Sequence, residues 1–436
     1  MSATVNAGWV AEKQAPSMAA VVFASAIGTT VEWYDFLLYG TAAALVFNKL
    51  FFPNLDPLTG TLAALGSYAV GFVARPLGGA IFGHFGDRIG RTTMLMVTMV
   101  VMGAGTFLIG CLPTYSQIGI WAPILLVLLR LLQGIGIGGE WGGAVLMVLE
   151  HSHKDRRGLF GSLVQIGFPA GMVLATLAFR SATRLPDAQF LSWGWRVPFL
   201  ISAVLVVIGV FVRLRLVETP PFRELQARKA TLDLPVLHVL GPEWRAFLIA
   251  VGMKVSEVAW VYILTVFVVM YATTRLGMPR AAILDSVLYA AAFELLTVPL
   301  FGWLSDLWGR RSLYLVGALL SALLAFPLFS LLQTRATPIV TLTLIVAMSI
   351  GHATMYGPQA AFMSELFATG SRYSGASLGC QVSAALSGGF APVIATGLLA
   401  WLGNTHGVSV FMIALALITL AVVAAARETA RLPMRS

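Results

Sequence analysis

The sequence predicts an all-α membrane protein with twelve transmembrane helices in two pseudo-symmetric six-helix bundles. Three observations support this prediction: the composition, the lengths of the apolar runs and a charged motif that occurs twice. Of the 436 residues, 58% are hydrophobic and 11% are charged, and the mean hydropathy is +0.85. Soluble domains carry about 25% charged residues, so most of this protein's surface must face lipid.

The apolar runs are long enough to cross a bilayer, because each has ~20 or more residues, the length of helix that spans ~30 Å of hydrocarbon. Backbone polar groups in lipid must be bonded internally, which favours helices here, since barrel strands would be shorter and would alternate. The predicted spans cover residues 17–47, 60–84, 92–112, 118–149, 157–182, 194–216, 244–276, 281–304, 312–333, 338–367, 372–402 and 407–427.

A short charged island is repeated in the two halves of the chain. It runs from Gly83 to Arg91 and returns 219 positions later, beginning at Gly302. A second pattern, a glutamate followed seven positions later by an arginine, occurs at Glu150–Arg157 and Glu365–Arg372. The positive-inside rule alone explains the arginines, but not the aspartate and glycines at matching places. Internal repeats are typical of transporters, whose substrate site lies between the halves.

The repeat predicts three parts: an N-terminal bundle at 1–216, a cytoplasmic linker at 217–243 and a C-terminal bundle at 244–436. With both termini in the cytoplasm, eighteen of the 28 Lys and Arg residues fall on the cytoplasmic side, seven fall outside and three lie within spans. This bias predicts a multi-pass protein of the inner (cytoplasmic) membrane with cytoplasmic termini. The net charge of +9 is therefore assigned to membrane orientation, and no nucleic-acid partner is expected.

The remaining composition argues against other classes. Cys111 and Cys380 lie in apolar runs without ligand-type spacing, so neither a metal site nor a disulfide framework is predicted. The first 16 residues do not resemble a cleavable signal peptide. No nucleophile–base pair or phosphate loop suggests an enzyme, and no cofactor is expected. The predicted partners are the lipid bilayer, a small substrate and the proton, and the protein is expected to be a monomer.

Charges inside spans are expensive and therefore indicate function. Glu32 and Asp35 are three residues apart, on one face of the first helix. Two carboxylates this close in a low dielectric do not both ionise easily, which predicts a proton-coupling role. The alternative is a structural ion pair between one of them and Arg75 or Arg130.

A polar stripe on the fourth helix should face the interior. Arg130, Glu140 and Trp141 fall within roughly one 100° arc, with Arg130 and Glu140 ~15 Å apart along the axis. Arg130 is predicted to neutralise Asp35 when no proton is bound, or to hold a substrate carboxylate by a bidentate contact. The alternative is an arginine that only ties two helices together.

The second half contributes further buried polar groups. Lys254 and Glu257 share a face, as do His352, Tyr356 and Gln359. Three buried cations favour an anionic or zwitterionic substrate, whereas His352 is also compatible with a packed, hydrogen-bonding residue. Arg75 and Glu294 are assigned to buried ion pairing. The predicted substrate-binding set is Arg130, Glu140, Trp141, Gln165, Lys254, Glu257, His352, Tyr356 and Gln381.

The loop charges are predicted to form a cytoplasmic gate. Asp87 and Asp306 are placed beside helix starts, where the helix dipole favours a carboxylate. Acid–arginine pairs flank the loops after spans four and ten and are able to latch the halves together. The alternative is that these charged side chains are solvated in the loops and form no gate. The predicted gating set is Asp87, Arg88, Arg91, Glu150, Arg157, Asp306, Arg310, Glu365 and Arg372.

Several motifs carry a family resemblance across essentially the whole chain. The charged island, its second copy and Arg130–Gly134 (RLLQG) resemble the major facilitator superfamily. Further motifs resemble its metabolite:proton symporter family, closest to shikimate-type transporters, although Leu307 stands where an arginine or lysine is usual in the second loop. These motifs are Glu32–Phe36 (EWYDF), Arg75–Gly79 (RPLGG), Gly138–Gly143 (GGEWGG), Phe190–Phe199 (FLSWGWRVPF), Ser364–Phe367 (SELF) and Arg372–Ala376 (RYSGA).

The resemblance implies a major facilitator fold that rocks around a midplane site. It implies that Asp35 and Arg130 match the coupling pair of related sugar/proton symporters. The implied function is proton-coupled import of a small organic acid, either shikimate-like or another cyclic or aromatic acid. Symport of a di- or tricarboxylate or of a zwitterionic osmolyte is an alternative, although the osmolyte members often carry a coiled-coil tail that this sequence does not show. A transporter-like membrane sensor is the alternative of another class.

Overall fold

The computed structural model describes residues 17–89, 91–213, 235–430 and 432. Within these ranges it describes every side chain except those at 44, 84, 86–89, 91, 92 and 213. The described residues form helices and connecting turns, with no strand among them. This architecture confirms the all-α prediction.

Twelve helices in the described part of the chain are long and apolar enough to cross a membrane, as the sequence predicts. They are α1 Met18–Ala42, α2 Pro57–Gly83, α3 Thr93–Cys111, α4 Trp121–Leu149, α5 Lys154–Ala182, α6 Gly194–Val212, α7 Trp244–Thr274, α8 Arg280–Trp308, α9 Arg310–Leu332, α10 Thr337–Glu365, α11 Arg372–Leu402 and α12 His406–Ala425.

The two halves, α1–α6 and α7–α12, share the same irregularities. A π-helical turn follows α1 at Ala43–Phe47, and another interrupts α7 at Ile263–Phe267. The helix of α5 breaks at Ile166, and α11 has a π-helical turn at Ala384–Gly388. Such turns free backbone groups and loosen a helix locally, and they often mark functional positions. Their recurrence at matched positions supports the internal repeat.

Glycines bring α2 and α4 into backbone contact. A Cβ atom on Gly134 would overlap the carbonyl oxygen of Gly71, and one on Gly138 would overlap that of Arg75. A Cβ on Gly78 would overlap the carbonyl oxygen of Ile135. Small residues of this kind allow close helix packing in lipid, where no hydrophobic effect drives helices together. This backbone contact fixes the position of Arg75 along the axis of α4.

The halves meet along two sets of helices. α5 packs against α8 and α10, and α11 packs against α2 and α4. The predicted division at 217–243 remains a prediction, because residues 214–234 lie outside the described residues and only a short helix at Pro235–Leu240 follows them. The interface between the halves contains the polar residues that line the candidate site.

Candidate functional site

A small cavity lies between the two halves, near the middle of the bundle. Its volume is about 20 Å³, enough for roughly one water molecule. Both charged and aromatic side chains line it, and both halves contribute. The lining residues are Glu32, Trp33, Arg75, Trp141, Lys254, Glu257, Val258, Val261, Tyr262, Cys380, Gln381 and Ala384.

Six of the residues predicted from sequence therefore meet at one place. Glu32, Arg75 and Trp141 reach the cavity from the first half, and Lys254, Glu257 and Gln381 reach it from the second. Lys254 Nζ lies 3.2 Å from Glu257 Oε2, which confirms that these two residues share a face. The cation also lies 5.6 Å from the ring of Trp141, so it is held between an acid and an aromatic face.

Tyr262 of α7 inserts into an aromatic cluster of the first half. Its ring lies 4.9 Å from that of Phe72, 5.8 Å from that of Phe36 and 6.4 Å from that of Trp33. The Arg75 guanidinium lies over the rings of Phe36 and Phe72, at 4.0 and 4.4 Å. Arg75 is thus a buried cation held by ring faces beside the cavity. The sequence does not predict this cluster, because aromatic residues in an apolar helix cannot be distinguished from ordinary core residues.

Asp35 is completely buried and lies beside Thr106 of α3. Within the described part of the chain, neither carboxylate oxygen has a hydrogen-bond partner and no cation forms an ion pair with them. The predicted pairing with Arg130, which applies when Asp35 carries no proton, is not formed in this conformation and stays a prediction. The reason is packing: Arg130 turns into a cage made by the rings of Phe36, Tyr39 and Tyr68, at 4.1, 4.3 and 4.8 Å.

A hydrogen-bond chain nevertheless runs from Arg130 to Thr106, the residue beside Asp35. Arg130 Nη1 donates to Gln133 Oε1 at 3.2 Å, and Gln133 Nε2 donates to Thr106 Oγ1 at 2.6 Å. Thr106 in turn adjoins Asp35. Arg130 Nη2 is buried and has no hydrogen-bond partner among the described residues. The predicted interior-facing stripe of α4 is confirmed, since Arg130, Gln133 and Glu140 are all buried.

Other predicted binding residues lie behind the cavity rather than on its wall. Gln165 accepts a hydrogen bond from Trp141 Nε1 at 3.0 Å and donates to the Tyr356 carbonyl of the other half at 2.9 Å. Tyr356 stacks on His352 at 4.8 Å. His352 contacts a carboxylate through each ring nitrogen, Glu294 and Glu257, so Glu294 pairs with His352. Direct substrate contact by Glu140, Gln165, His352 and Tyr356 remains a prediction.

A second polar network closes the terminal end, defined as the end of the bundle where α1 begins and α12 ends. Asp306 accepts hydrogen bonds from the backbone N–H groups of Gly158 and Leu159, both at 2.9 Å. It also contacts Arg310 Nη1 at 2.7 Å. The helix start that Asp306 stabilises is therefore that of α5 in the other half. The start of α9, the next helix along the chain, is instead bound by Glu428.

The other predicted gate residues surround this network. Glu365 is buried, with Oε2 3.6 Å from Arg310 Nε and 2.6 Å from Thr429 Oγ1. Arg372 is also buried, whereas Glu150 and Arg157 are partly exposed. The side chains of Asp87, Arg88 and Arg91 lie outside the described residues, so their gating role remains a prediction. The sequence does not predict the contacts of Glu428 and Thr429, because the residues after the last apolar run carry no signal of where they pack.

The opposite end is also bridged between the halves. Arg180, near the end of α5, forms an ion pair with Asp285, near the start of α8. Both side chains are about one-third exposed. The same pair of helices, α5 and α8, is thus tied at its two ends. The sequence does not predict this pair, because Arg180 and Asp285 are 105 positions apart.

We expect Asp306→Asn to loosen the terminal end. The substitution removes the charge and places an amide donor against backbone N–H groups. Losing a charge-assisted hydrogen bond costs about 1.5 kcal/mol, roughly a tenfold increase in the open population. Cys380 is 5% exposed and lines the cavity, so its rate of alkylation reports opening. In a Cys111→Ser background, this rate should rise about tenfold.

The matched control is Asp155→Asn at the same end. Asp155 is 72% exposed and contacts only His153 among the ion pairs of the described residues. Its substitution should leave Cys380 alkylation unchanged. Equal rates in Asp306→Asn and the unsubstituted protein would contradict the gating role of Asp306.

No group of His, Cys, Asp and Glu side chains in the described part of the chain has an arrangement that could hold a metal ion. Cys111 and Cys380 are both free thiols. The site consists instead of buried charges and ring faces at the seam between two repeated bundles. Such an arrangement is typical of membrane transporters, whose binding site lies between their halves.

Comparison with known proteins gives the family. The family model described as Major Facilitator Superfamily matches residues 17–383 of this chain. The Shikimate transporter of Escherichia coli strain K12 is 44% identical, covering 90% of each chain. The inner membrane metabolite transport protein YhjE of the same strain is 40% identical, covering 94% of each chain.

Among solved structures, the proton:xylose symporter XylE bound to 6-bromo-6-deoxy-D-glucose has the same fold. The TM-score is 0.73 at 17% identity, covering 94% of this chain and 96% of that chain. The chain belongs to the major facilitator superfamily, which confirms the resemblance carried by its motifs. It is a multi-pass membrane transporter rather than an enzyme.

Proposed function

We propose that this transporter is a proton-coupled symporter that imports a small organic acid of the shikimate type across the inner membrane. The observation that carries the proposal is the cavity between the halves, flanked by the buried cations Arg75 and Lys254 and lined by aromatic rings. The 44% identity to a relative named Shikimate transporter supports the substrate class. The excess of Lys and Arg on one side supports cytoplasmic termini.

A cyclic hydroxy acid suits the chemistry of the cavity. Its carboxylate can form charge-assisted hydrogen bonds with Arg75 or Lys254. Its ring can lie against Trp33, Trp141 or Tyr262, and its hydroxyl groups can bond to Gln381. Small-molecule sites usually have about 300–1,000 Å³, so the closed cavity must expand to admit substrate. The enlarged site belongs to a conformation in which one end of the bundle is open.

The proton is assigned to Asp35, with Glu32 on the same face and Arg130 as its electrostatic partner. A carboxylate that is buried without a cation or hydrogen bond costs several kcal/mol, so the observed surroundings of Asp35 suit the neutral acid. After the proton leaves, Arg130 can turn its unused Nη2 toward Asp35. The pair would then neutralise itself, which allows the empty transporter to close and return.

Alternating access supplies the transport step. The Arg180–Asp285 pair must break when the outside opens, and the Asp306 contacts must break when the cytoplasmic side opens. Proton and substrate together favour the closed state with both sets of contacts formed. We assign the same role, a cytoplasmic gate that opens and closes during the cycle, to Glu150, Arg157, Arg310, Glu365 and Arg372.

Substrate protection of Cys380 tests the proposed site. In the Cys111→Ser protein, shikimate should slow alkylation of Cys380, because the thiol lines the cavity. Succinate and glycine betaine serve as probes for the dicarboxylate and osmolyte alternatives. Protection by either of these, with none by shikimate, would reject the proposed substrate class.

Counterflow in proteoliposomes separates a transporter from a sensor. Vesicles loaded with unlabelled shikimate should take up labelled shikimate faster than empty vesicles. A protein whose Cys380 is protected by shikimate but which shows no counterflow would be a binding protein, and the transport proposal would be wrong.

A further inference from the structure

The second half contains a buried acid–histidine–acid cluster made of Glu257, His352 and Glu294. The three residues come from α7, α10 and α8, and each is at most 2% exposed. His352 Nε2 lies 2.8 Å from Glu257 Oε1, and His352 Nδ1 contacts Glu294 Oε1. Both ring nitrogens therefore face a carboxylate oxygen. The transport cycle proposed above, based on Asp35, does not use this cluster.

The two contacts of His352 require one proton more than two ionised carboxylates and a neutral imidazole supply. A neutral imidazole has one N–H donor and one bare nitrogen, whereas an ionised carboxylate can only accept. With both carboxylates ionised and His352 neutral, one of the two contacts would bring a lone pair against a lone pair. Two hydrogen bonds require either the imidazolium or a carboxylic acid on one glutamate. In both cases one additional proton is bound.

Hydrogen bonds connect this additional proton to the cavity. Glu257 Oε2 lies 3.2 Å from Lys254 Nζ and 2.7 Å from Gln359 Nε2, and Gln359 Oε1 accepts from Lys254 at 2.7 Å. One carboxylate oxygen of Glu257 therefore contacts His352, and the other contacts Lys254 and Gln359. Glu294 Oε2 has no hydrogen-bond partner within the described ranges.

The charges around the cluster make its proton important for an anion. Lys254 carries one positive charge, and Glu257 and Glu294 carry two negative charges, so His352 with the additional proton makes the group neutral. Without that proton the group has a net charge of −1 in a closed interior, where an uncompensated charge costs several kcal/mol. An anionic substrate placed beside Lys254 would be repelled by the unprotonated group.

Other groups that face the cluster do not replace this proton. Tyr314 of α9 bonds to Gln359 at 3.2 Å, and Tyr356 of α10 stacks on His352. Phe168 of α5 covers the imidazole at 5.4 Å. Around the cavity, the other titratable and charged groups are Glu32, Arg75, Tyr262 and Cys380. Of these, only Arg75 is a cation, and it lies on the rings of the first half.

We propose that Glu257, His352 and Glu294 form a second proton-binding site, whose proton is taken up together with the substrate anion. This inference rests on the proposed symport and adds to it a site in the half that does not contain Asp35. Glu257 links the two binding events, because it contacts both the imidazole and Lys254. Substrate binding should then take up about two protons, one at Asp35 and one at this cluster.

Proton uptake on binding tests the second site directly. Shikimate is added to the purified protein in weakly buffered detergent solution at slightly alkaline pH, and a pH indicator reports the protons bound. Glu294→Gln keeps a hydrogen-bonding group beside His352 but removes one negative charge, so the cluster becomes neutral without the additional proton. Uptake should fall from about two protons to about one, while shikimate still protects Cys380.

Three further variants of this protein make the test decisive. Glu294→Asp retains the charge and should restore about two protons, and the exposed-site control Asp187→Asn should match the unsubstituted protein. Asp35→Asn does not alter the cluster and should still take up about one proton on binding, which tests the proposal even if Glu294→Gln fails to fold.

The outcomes separate the two proposals. Uptake in Glu294→Gln equal to that of the unsubstituted protein, or none in Asp35→Asn that still binds shikimate, would overturn the second site and leave symport standing. An unsubstituted protein that binds shikimate without taking up protons would overturn both.

Discussion

Asp35→Asn is expected to abolish net uptake of shikimate while exchange survives. The asparagine side chain resembles the neutral acid, so binding and the loaded conformational change should continue. It cannot ionise and pair with Arg130, so the empty transporter cannot return. Groups that transfer protons commonly contribute 10²- to 10⁴-fold to a rate, and net uptake should fall by about 100-fold or more.

Proteoliposomes with an imposed pH difference provide this measurement. Net uptake is followed with shikimate outside only, and exchange with shikimate on both sides. Asp187→Asn, at an exposed position, should retain both activities. Near-normal net uptake by Asp35→Asn would remove Asp35 from the coupling mechanism, and equal loss of both activities would indicate damage to the fold or to binding.

Gly138→Val is expected to prevent stable folding. A Cβ at this position would overlap the Arg75 carbonyl oxygen and lie 2.6 Å from the Gly79 nitrogen. Backbone atoms of two helices cannot yield as a flexible side chain does, so α2 and α4 would have to separate. Overpacking costs about 1–3 kcal/mol even where side chains can move, and a larger loss is expected here. Arg75 would also be displaced from its position beside the cavity.

The same substitution at Gly66 provides the control. Gly66 lies in α2, and no described atom is within 4 Å of its added Cβ. Valine and glycine have similarly modest helix propensities, so Gly66→Val should be nearly neutral. The measurement is the thermal unfolding midpoint and the yield of monodisperse protein in detergent. Equal midpoints for the two variants would show that the α2–α4 contact is not as close as described.

The sequence predicted the fold well because the relevant signals are local. Each span is a long, predominantly apolar run, and the repeated loops at Gly83 and Gly302 identify two related halves. The cost of buried charge also singled out residues that the structure brings together: Glu32, Arg75, Lys254 and Glu257 all line the cavity, and their roles stay predictions. These inferences need only one segment at a time.

The sequence did not predict which buried groups meet, because partners depend on packing between distant helices. Arg130 was expected beside Asp35, yet its guanidinium lies among aromatic rings that have no recognisable pattern in the sequence. Glu294 was expected in an ion pair, but nothing specified His352 as its partner. Asp306 was placed beside a helix start, and the start proved to belong to the other half.

The movement of protons with substrate is the central claim, and the pH inside proteoliposomes tests it most directly. With no imposed gradient, shikimate is added outside vesicles that contain a pH indicator and have their membrane potential clamped. Symport predicts that the interior becomes acidic as labelled shikimate enters, at a rate well above that of protein-free vesicles. Entry of labelled shikimate with an unchanged or more alkaline interior would contradict the account.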